Sequence, residues 1–440
     1  MRKNVGWRVR ISVAMLVVAV AVTVATTTTV FGKTNSKHAT AAAAALKCGL
    51  GNGKAATGTP IVLGAIATDQ PGTSFTDIPN MANAYFQCVN ANGGIYGHPI
   101  EYKILTDTTV PSQVTADASE LISTDHVVGI VGNTDIIDCA VNGATYAKDG
   151  YFLIDAGIAA QCYASPWSAT VNMGPRYSGD GAAQTAIMHG AKTIVIDQSN
   201  VPGYQSNALG IQAIAKAHGV KVVSLAANAA SLNGETEAER IVQAAGSHGA
   251  ADLIFTPPVA QQILQGAQKL GLESKVIWTC ATPCNTDSLA ASLGPAWNHK
   301  LFVNAEMNDV HDDPGVDDNL FLKVLHQYGS AVSGGIGSFS QFGFTVGQLT
   351  VQALLSIKSK VYTVKTVNAA IENLSGFKTD MLCKPWYYGK AAVHLPNNTD
   401  YTVWPDNGTM QIVPGSGCLP ISTDDPEVAT VRAYEKKHGV

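Results

Sequence analysis

From Pro60 onward, short unbroken apolar runs alternate with stretches in which apolar positions recur every three or four residues, one unit per roughly 20 to 30 residues. The first run, 61–67, is apolar throughout, as a strand buried on both faces of a parallel sheet must be. Pro71 and Gly72 break regular structure, and a helix follows with Met81, Ala84 or Tyr85, Cys88 and Val89 at helical spacing. It stops at Asn92-Gly93-Gly94. Further strands are predicted at 100–109, 127–131 and 151–155, with helices at 112–123 and up to Lys148. A short extended piece, 170–173, then precedes Gly174-Pro175-Arg176, where the chain is expected to cross into a second run of units. That run has strands at 193–196, 221–225, 252–255 and 276–279 and helices at 178–189, 204–218, 235–247, 260–270 and 286–293. Such alternation implies right-handed crossovers and parallel sheets.

The pattern then changes. A strand at 301–305 is expected to lead back to the first lobe. The acidic run 312–318 has its ligands in the wrong order for a calcium loop and reads as acids at a helix start. In the helix 339–357, Gly343 and Gly347 leave room for close packing against the sheet. A shorter helix at 364–374 and a surface helix at 426–438 complete the reading. His189, His218 and His248 each precede a glycine, which fits helix ends rather than metal ligands.

Composition narrows the classes. The chain has 440 residues, enough for two domains, and 46 % hydrophobic residues, enough for two cores. Charged residues make up 14 %, well under the usual quarter, and no basic stripe with interleaved aromatics is present, which argues against a nucleic-acid binder. Arg2, Lys3, Arg8 and Arg10 precede an apolar run at 11–22, the pattern of an export signal, with an uncleaved signal anchor as the alternative. Loss of those four charges takes the formal net charge from −5 to −9. Lys47 beside Cys48 does not fit a lipid-attachment box, so lipidation is not expected. Residues 32–59 lack apolar periodicity and read as a linker. Within them Gly49 to Lys54 mimics a phosphate loop, but no strand precedes it and Ala55 stands where a hydroxyl residue would bind magnesium.

Eight cysteines in an exported chain point to disulfides, for which 105 connectivities exist. The candidate pairs are Cys139 with Cys162, Cys383 with Cys418, Cys280 with Cys284, and Cys48 with Cys88. A zinc site at Cys280 and Cys284 is the competing reading, with no second cysteine pair near in sequence to complete it.

Gly64-Ala65-Ile66 on the first strand, Val89-Asn90-Ala91-Asn92-Gly93-Gly94-Ile95 at the first helix end and Gly97 before the second strand carry a resemblance. In that order they resemble the opening of the type I periplasmic solute-binding proteins, the branched-chain amino-acid binding family of ABC importers, and the resemblance runs to about Gln411. It implies an α/β fold of two doubly wound parallel-sheet lobes joined by a multi-strand hinge. The expected organisation is a signal segment at 1–31, a linker at 32–59, the first part of lobe 1 at 60–174 and lobe 2 at 175–306. The rest of lobe 1, with a C-terminal hairpin and hinge returns, falls at 307–423, and a C-terminal helix at 424–440. The hairpin is placed at 384–390 with a return strand at 409–413.

Position by position, the resemblance implies ligand contacts from Phe75, from Thr134 and Asp135, and from Ala156, Gly157 and Ile158 in one lobe. The other lobe supplies Tyr204, Thr256 and Pro258, and Ala281 and Thr282. The plain structural alternative is packing for Phe75 and Tyr204 and helix capping for Asp135. Amino-acid binders of this family hold the ligand carboxylate with small hydroxyl residues and the ammonium with an acid of the opposite lobe. Here 156–158 has no hydroxyl, and Thr279 to Thr282 stands where the acid is expected, so a less charged or more apolar solute competes with an amino acid. The implied partners are a small-molecule ligand and a membrane permease, with no cofactor, no metal and a monomer as the default. A sensory module for a signalling partner is the alternative function. The chain has no Gly-x-Ser-x-Gly elbow and no His-Glu-x-x-His helix, and Gly334-Gly335-Ile336-Gly337 lacks the strand a dinucleotide site needs, so an enzyme is not expected.

Overall fold

The computed structural model describes residues 46–311 and 314–440; the signal segment, the start of the linker, Asp312 and Asp313 lie outside the described residues. The first lobe is built on β1 (Ile61–Gln70), β2 (Thr73–Ser74), β3 (Ile100–Asp107), β4 (Gly129–Ile130), β5 (Leu153–Asp155) and β6 (Ser168–Thr170). β1 runs parallel to β3, with Ile61 opposite Ile100, and parallel to β4, with Leu63 opposite Gly129. A bridge from Val131 to Ile154 carries the sheet on to β5 and its parallel partner β6. β2 folds back antiparallel on the end of β1 through a turn at Gly72, whose φ of +77° suits glycine.

The second lobe holds β7 (Thr193–Ser199), β8 (Lys221–Ala227), β9 (Gly249–Ile254), β10 (Ile277–Cys280), β11 (Leu301–Ala305), β12 (Thr399–Asp406), β13 (Thr409–Ile412) and the edge piece β14 (Leu419–Pro420). Their order is β13-β12-β11-β10-β9-β7-β8, parallel from β8 to β11 and antiparallel through β12 and β13, with β14 on β12. The strand at 301–305 lies in the second sheet, within the 175–306 expected for lobe 2, and the chain leaves that lobe after it. One expectation is corrected: the strand that pairs with 409–412 is β12, not 384–390, where Trp386 makes only a single bridge to Phe377. Residues 399–412 therefore extend the sheet of the second lobe.

Thirteen helices of the described residues surround the sheets. They are α1 (Asp77–Ala91), α2 (Pro111–Ser119), α3 (Asp138–Asp149), α4 (Ala160–Tyr163), α5 (Gly174–Met188), α6 (Ala208–Ala217) and α7 (Gly234–Ala245), then α8 (Pro257–Lys269), α9 (Asp287–Leu293), α10 (Val316–Tyr328), α11 (Ser338–Leu355), α12 (Val364–Glu372) and α13 (Pro426–His438). α1 buries Met81, Ala84, Tyr85, Cys88 and Val89, the face that the sequence marks as apolar. Gly343 and Gly347 of α11 press on Ile78 and Tyr85 of α1, so their close packing is helix on helix rather than helix on sheet. Trp278 and Trp297, fully buried and edge to face with centroids 5.7 Å apart, anchor the second core. Burial of one such side chain contributes about 1.5 to 3 kcal/mol.

The chain passes between lobes after β6, after β11 and before β12. At the first passage Gly174 has φ +66°, and a Cβ there would collide with the Tyr163 hydroxyl. Arg176 of α5 holds Asp425 at 2.8 Å and Glu427 at 2.7 Å, which seats α13 beside the passage. α13 is a surface helix as expected, with Val428 and Val431 turned into the core and Pro426, Thr430, Ala433 and 436–438 exposed. The linker is corrected in its second half. Cys48 is buried and bonded to Cys88, and the N–H groups of Asn52, Ala56 and Gly58 donate to the carbonyls of Asn92, Asn90 and Gly97. All four candidate cysteine pairs stand at bonding distance, which leaves Cys280 and Cys284 no thiolate for zinc. His189 and His218 cap α5 and α6 as expected, whereas His248 lies beyond the end of α7 in a left-handed turn at φ +62°. Asp317 and Asp318 sit in the first turn of α10, and Asp318 accepts from the Gly315 N–H at 3.0 Å.

Candidate functional site

Strand ends from both sheets meet across a cleft, as parallel sheets place their loops. Phe75, after β2, packs edge to face on Phe339 at the start of α11, with centroids 5.4 Å apart. The loop after β4 is drawn into the sheet. Thr134 N–H donates to Ile66 O (2.9 Å), Thr68 Oγ1 donates to Asp135 Oδ2 (2.6 Å), and Ile137 N–H donates to Asp135 Oδ1 (2.9 Å). Asp135 and Thr134 thus serve the loop from beneath, and Ile136 lines the cleft. After β5 the pattern repeats. Ala156 and Ile158 line the cleft, while Gly157 faces inward, with the Cys162 sulfur where a Cβ would stand and its N–H on Asp155 Oδ1 at 2.9 Å.

The second lobe contributes Ile254 at the end of β9, Phe255 and Thr256 after it, and Thr282 and Pro283 after β10. Thr256 Oγ1 donates across the cleft to Gly72 O at 2.7 Å, so the two lobes touch there. The Thr282 N–H donates to Ser178 Oγ (2.7 Å) and its hydroxyl to Asn304 Oδ1 (2.7 Å), which fixes the loop braced by Cys280 and Cys284. Between the walls lies a cavity of about 80 Å³. Ala281 is buried in the core behind it, its N–H on Leu253 O. Tyr204 lines a flanking groove of about 340 Å³ that shares Ile136, Ile158 and Val201 with the cavity. Pro258 lines a second groove of about 350 Å³ on the far side, shared at Thr73, Thr256 and Phe339. Of the residues expected from sequence, Phe75, Ala156, Ile158, Thr256 and Thr282 converge on the cavity; Thr134, Asp135, Gly157, Tyr204, Pro258 and Ala281 do not.

The floor is the hinge, and sequence reading missed it. Glu306, directly after β11, is 1 % exposed and accepts from the Met173 N–H. Burial pushes its carboxyl up to about 8, and Asp400 adds to this while the Met173 N–H opposes it. Asn172 beside it donates Nδ2 to Gly157 O at 3.2 Å and leaves Oδ1 without a partner although the residue is only 4 % exposed. Phe339 and Phe342 close the roof. Glu306 was reachable from sequence, since it follows a strand that the pattern predicts. Asn172 and the two phenylalanines lie in a crossing and a helix start, where no periodic signal points at a cleft. No Lys, Arg or His among the described residues lines the cavity, and its walls are mainly apolar.

No curated protein sequence matches the chain. Among solved structures, a branched-chain amino acid ABC transporter protein from Thermus thermophilus with bound valine is similar at TM-score 0.71 and 14 % identity, covering 87 % of this chain and 100 % of that one. A solute-binding protein of an ABC transporter from Rhodopseudomonas palustris, in complex with 3,4-dihydroxybenzoic acid, is similar at 0.68 and 15 % identity over 84 % and 99 %. A fatty acid ABC transporter substrate-binding protein from Thermomonospora curvata is similar at 0.67 and 15 % identity over 86 % and 95 %. These likenesses share the two-lobed fold. The family model described as periplasmic binding protein matches residues 60–408, and with the two parallel-sheet lobes and the cleft between them it places this chain in the periplasmic binding protein family of type I fold, a family of binding proteins rather than enzymes.

Proposed function

We propose that this protein is the extracytoplasmic solute-binding component of an ABC importer, which captures a small molecule in the inter-lobe cleft and delivers it to a membrane permease. The observation that carries this reading is the composition of the cavity wall. Phe75 and Ile136 come from one lobe, Ile254 and Thr256 from the other, and Glu306 from the hinge, so only the closed arrangement assembles the full set. A solute that touches both lobes favours closure because closure alone supplies all its contacts. Membership of the family and similarity to proteins whose names state valine, 3,4-dihydroxybenzoic acid and fatty acid as ligands support the reading without fixing the solute. The apolar walls favour a solute with a hydrocarbon body and few polar groups. Of the described helices none is long and apolar enough to cross a membrane.

The test is thermal unfolding against a panel of amino acids, amides, amines, alcohols and aromatic acids. A ligand at a hundred times its Kd adds about 2.7 kcal/mol to stability. The expected result is a selective upward shift that Phe75→Ala and Phe342→Ala both reduce. A shift that neither substitution alters would place binding outside the cleft.

A further inference from the structure

Among the described residues that line the cavity, the buried side-chain atom left without a partner is an acceptor, Asn172 Oδ1, while the hydroxyls of Thr73 and Ser199 are free to donate or accept. In the loops after β4 and β5, the N–H groups of Thr134, Ile136, Ile137, Ala156 and Gly157 are committed to Ile66 O, Thr68 Oγ1, Asp135, Asn133 O and Asp155. The hydroxyls of Thr256, Thr282 and Ser178 donate to Gly72 O, Asn304 Oδ1 and Thr282 Oγ1. The start of α5, which faces the cavity floor and could attract an anion, already has the Glu306 carboxyl on its Met173 N–H. A ligand carboxylate would meet no counter-charge in this lining. Asn172 Oδ1, in contrast, has no partner, and its orientation is fixed because Nδ2 must face the Gly157 carbonyl. Glu306 and Asn172 line the same cavity and are adjacent through Met173.

We propose that the solute is an apolar amine bound as its ammonium ion, with Glu306 as counter-ion, Asn172 Oδ1 as a second acceptor, and the hydrocarbon body between Phe75, Phe339 and Phe342. The proposal rests on the cleft being the solute site and specifies the chemistry of that site. It also accounts for an acid buried at a hinge without a cation, since a buried ion pair is tolerable only when both partners are present. The groups facing Glu306 are Asp400 of β12, Tyr163 of α4 and the Thr282 hydroxyl, none of them a cation. With the cleft empty the Glu306 carboxyl holds its proton near neutral pH. Binding of an ammonium ion then expels that proton to solvent, while the amine keeps its own.

The experiment uses three matched series on the whole protein: 3-methylbutylamine and 2-phenylethylamine, the alcohols 3-methylbutan-1-ol and 2-phenylethanol, and the acids 4-methylpentanoate and phenylacetate. Calorimetry at pH 7 in two buffers of different ionisation heat reads affinity and proton release together. The expected result is binding of at least one amine at least tenfold tighter than its alcohol, with close to one proton released per ligand. Glu306→Gln, which keeps an acceptor for the Met173 N–H, is expected to lose 30-fold or more in amine affinity and to abolish the release. Preference for the acids or alcohols, or amine binding without proton release, overturns the inference and leaves the cleft reading standing. If none of the six binds and the broader panel also gives no shift, both fall.

Discussion

Replacing Glu306 by Gln should change the pH dependence of stability more than stability itself. In the ligand-free fold the Glu306 carboxyl is raised from 4.5 to about 8, chiefly by burial. Between those values the unfolded chain gives up this proton and the folded chain keeps it, so the unfolded state binds fewer protons and stability falls as pH rises. The contribution is fully present below 4.5 and lost as pH rises through about 8. At about 1.4 kcal/mol per pKa unit, a displacement of this size corresponds to a loss on the order of 4 kcal/mol across the window. The amide introduced by Glu306→Gln cannot titrate yet still accepts from the Met173 N–H, so the variant should lack this part of the slope. Asp155 and Asp138, raised to about 7, and Asp400, raised to about 8, titrate in both proteins and largely cancel in the difference. Urea unfolding of both proteins from pH 4 to pH 8.5 provides the comparison. The two midpoints should lie close together at pH 4 and separate in favour of the variant towards pH 8.5. Parallel curves would show that Glu306 is ionised in the empty cleft and refute the reasoning.

Asp135→Asn should cost about 1 to 3 kcal/mol, because Asp135 accepts from Thr68 Oγ1 and Ile137 N–H in a buried loop, yet leave solute affinity within twofold; a large affinity loss with intact stability would return Asp135 to the cleft. Arg176→Ala leaves the fully buried Asp425 side chain without its cation, and a loss of about 3 to 5 kcal/mol by urea unfolding is expected. Joint replacement of Cys48 and Cys88 by Ala opens a 40-residue loop and should lower stability by about 4 kcal/mol, with faster amide exchange over 46–58 as a second readout.

Strand and helix order was legible because each fully buried strand of a parallel sheet must be apolar throughout, and 61–67, 193–196 and 252–255 are largely so. The terminal hairpin was not, since the aromatic run at 384–390 is rich in strand-forming residues but is spent on packing Trp386 and Tyr388 into the first core, and the pairing strand is the polar-looking β12. In the site, the rule that loops follow strand ends found the right loops and often the wrong side chain. Asp135 and Gly157 are the chemically conspicuous members of theirs, but satisfying buried backbone groups turns them inward and leaves Ile136 and Ile158 facing the cleft. The hinge floor was the least legible part. Asn172 and Glu306 are 134 positions apart in the chain and meet only because two crossings run side by side, a relation that local periodicity does not encode.

A crystal structure of the protein with the tightest binder from the solute panel would show whether the inter-lobe cleft holds the solute. Density for that molecule is expected between the lobes, in contact with Phe75, Ile254 and Phe342, its polar group at Glu306 and Asn172. A ligand seated outside the cleft, with Phe75 and Phe339 still closed on an empty cavity, would contradict this placement.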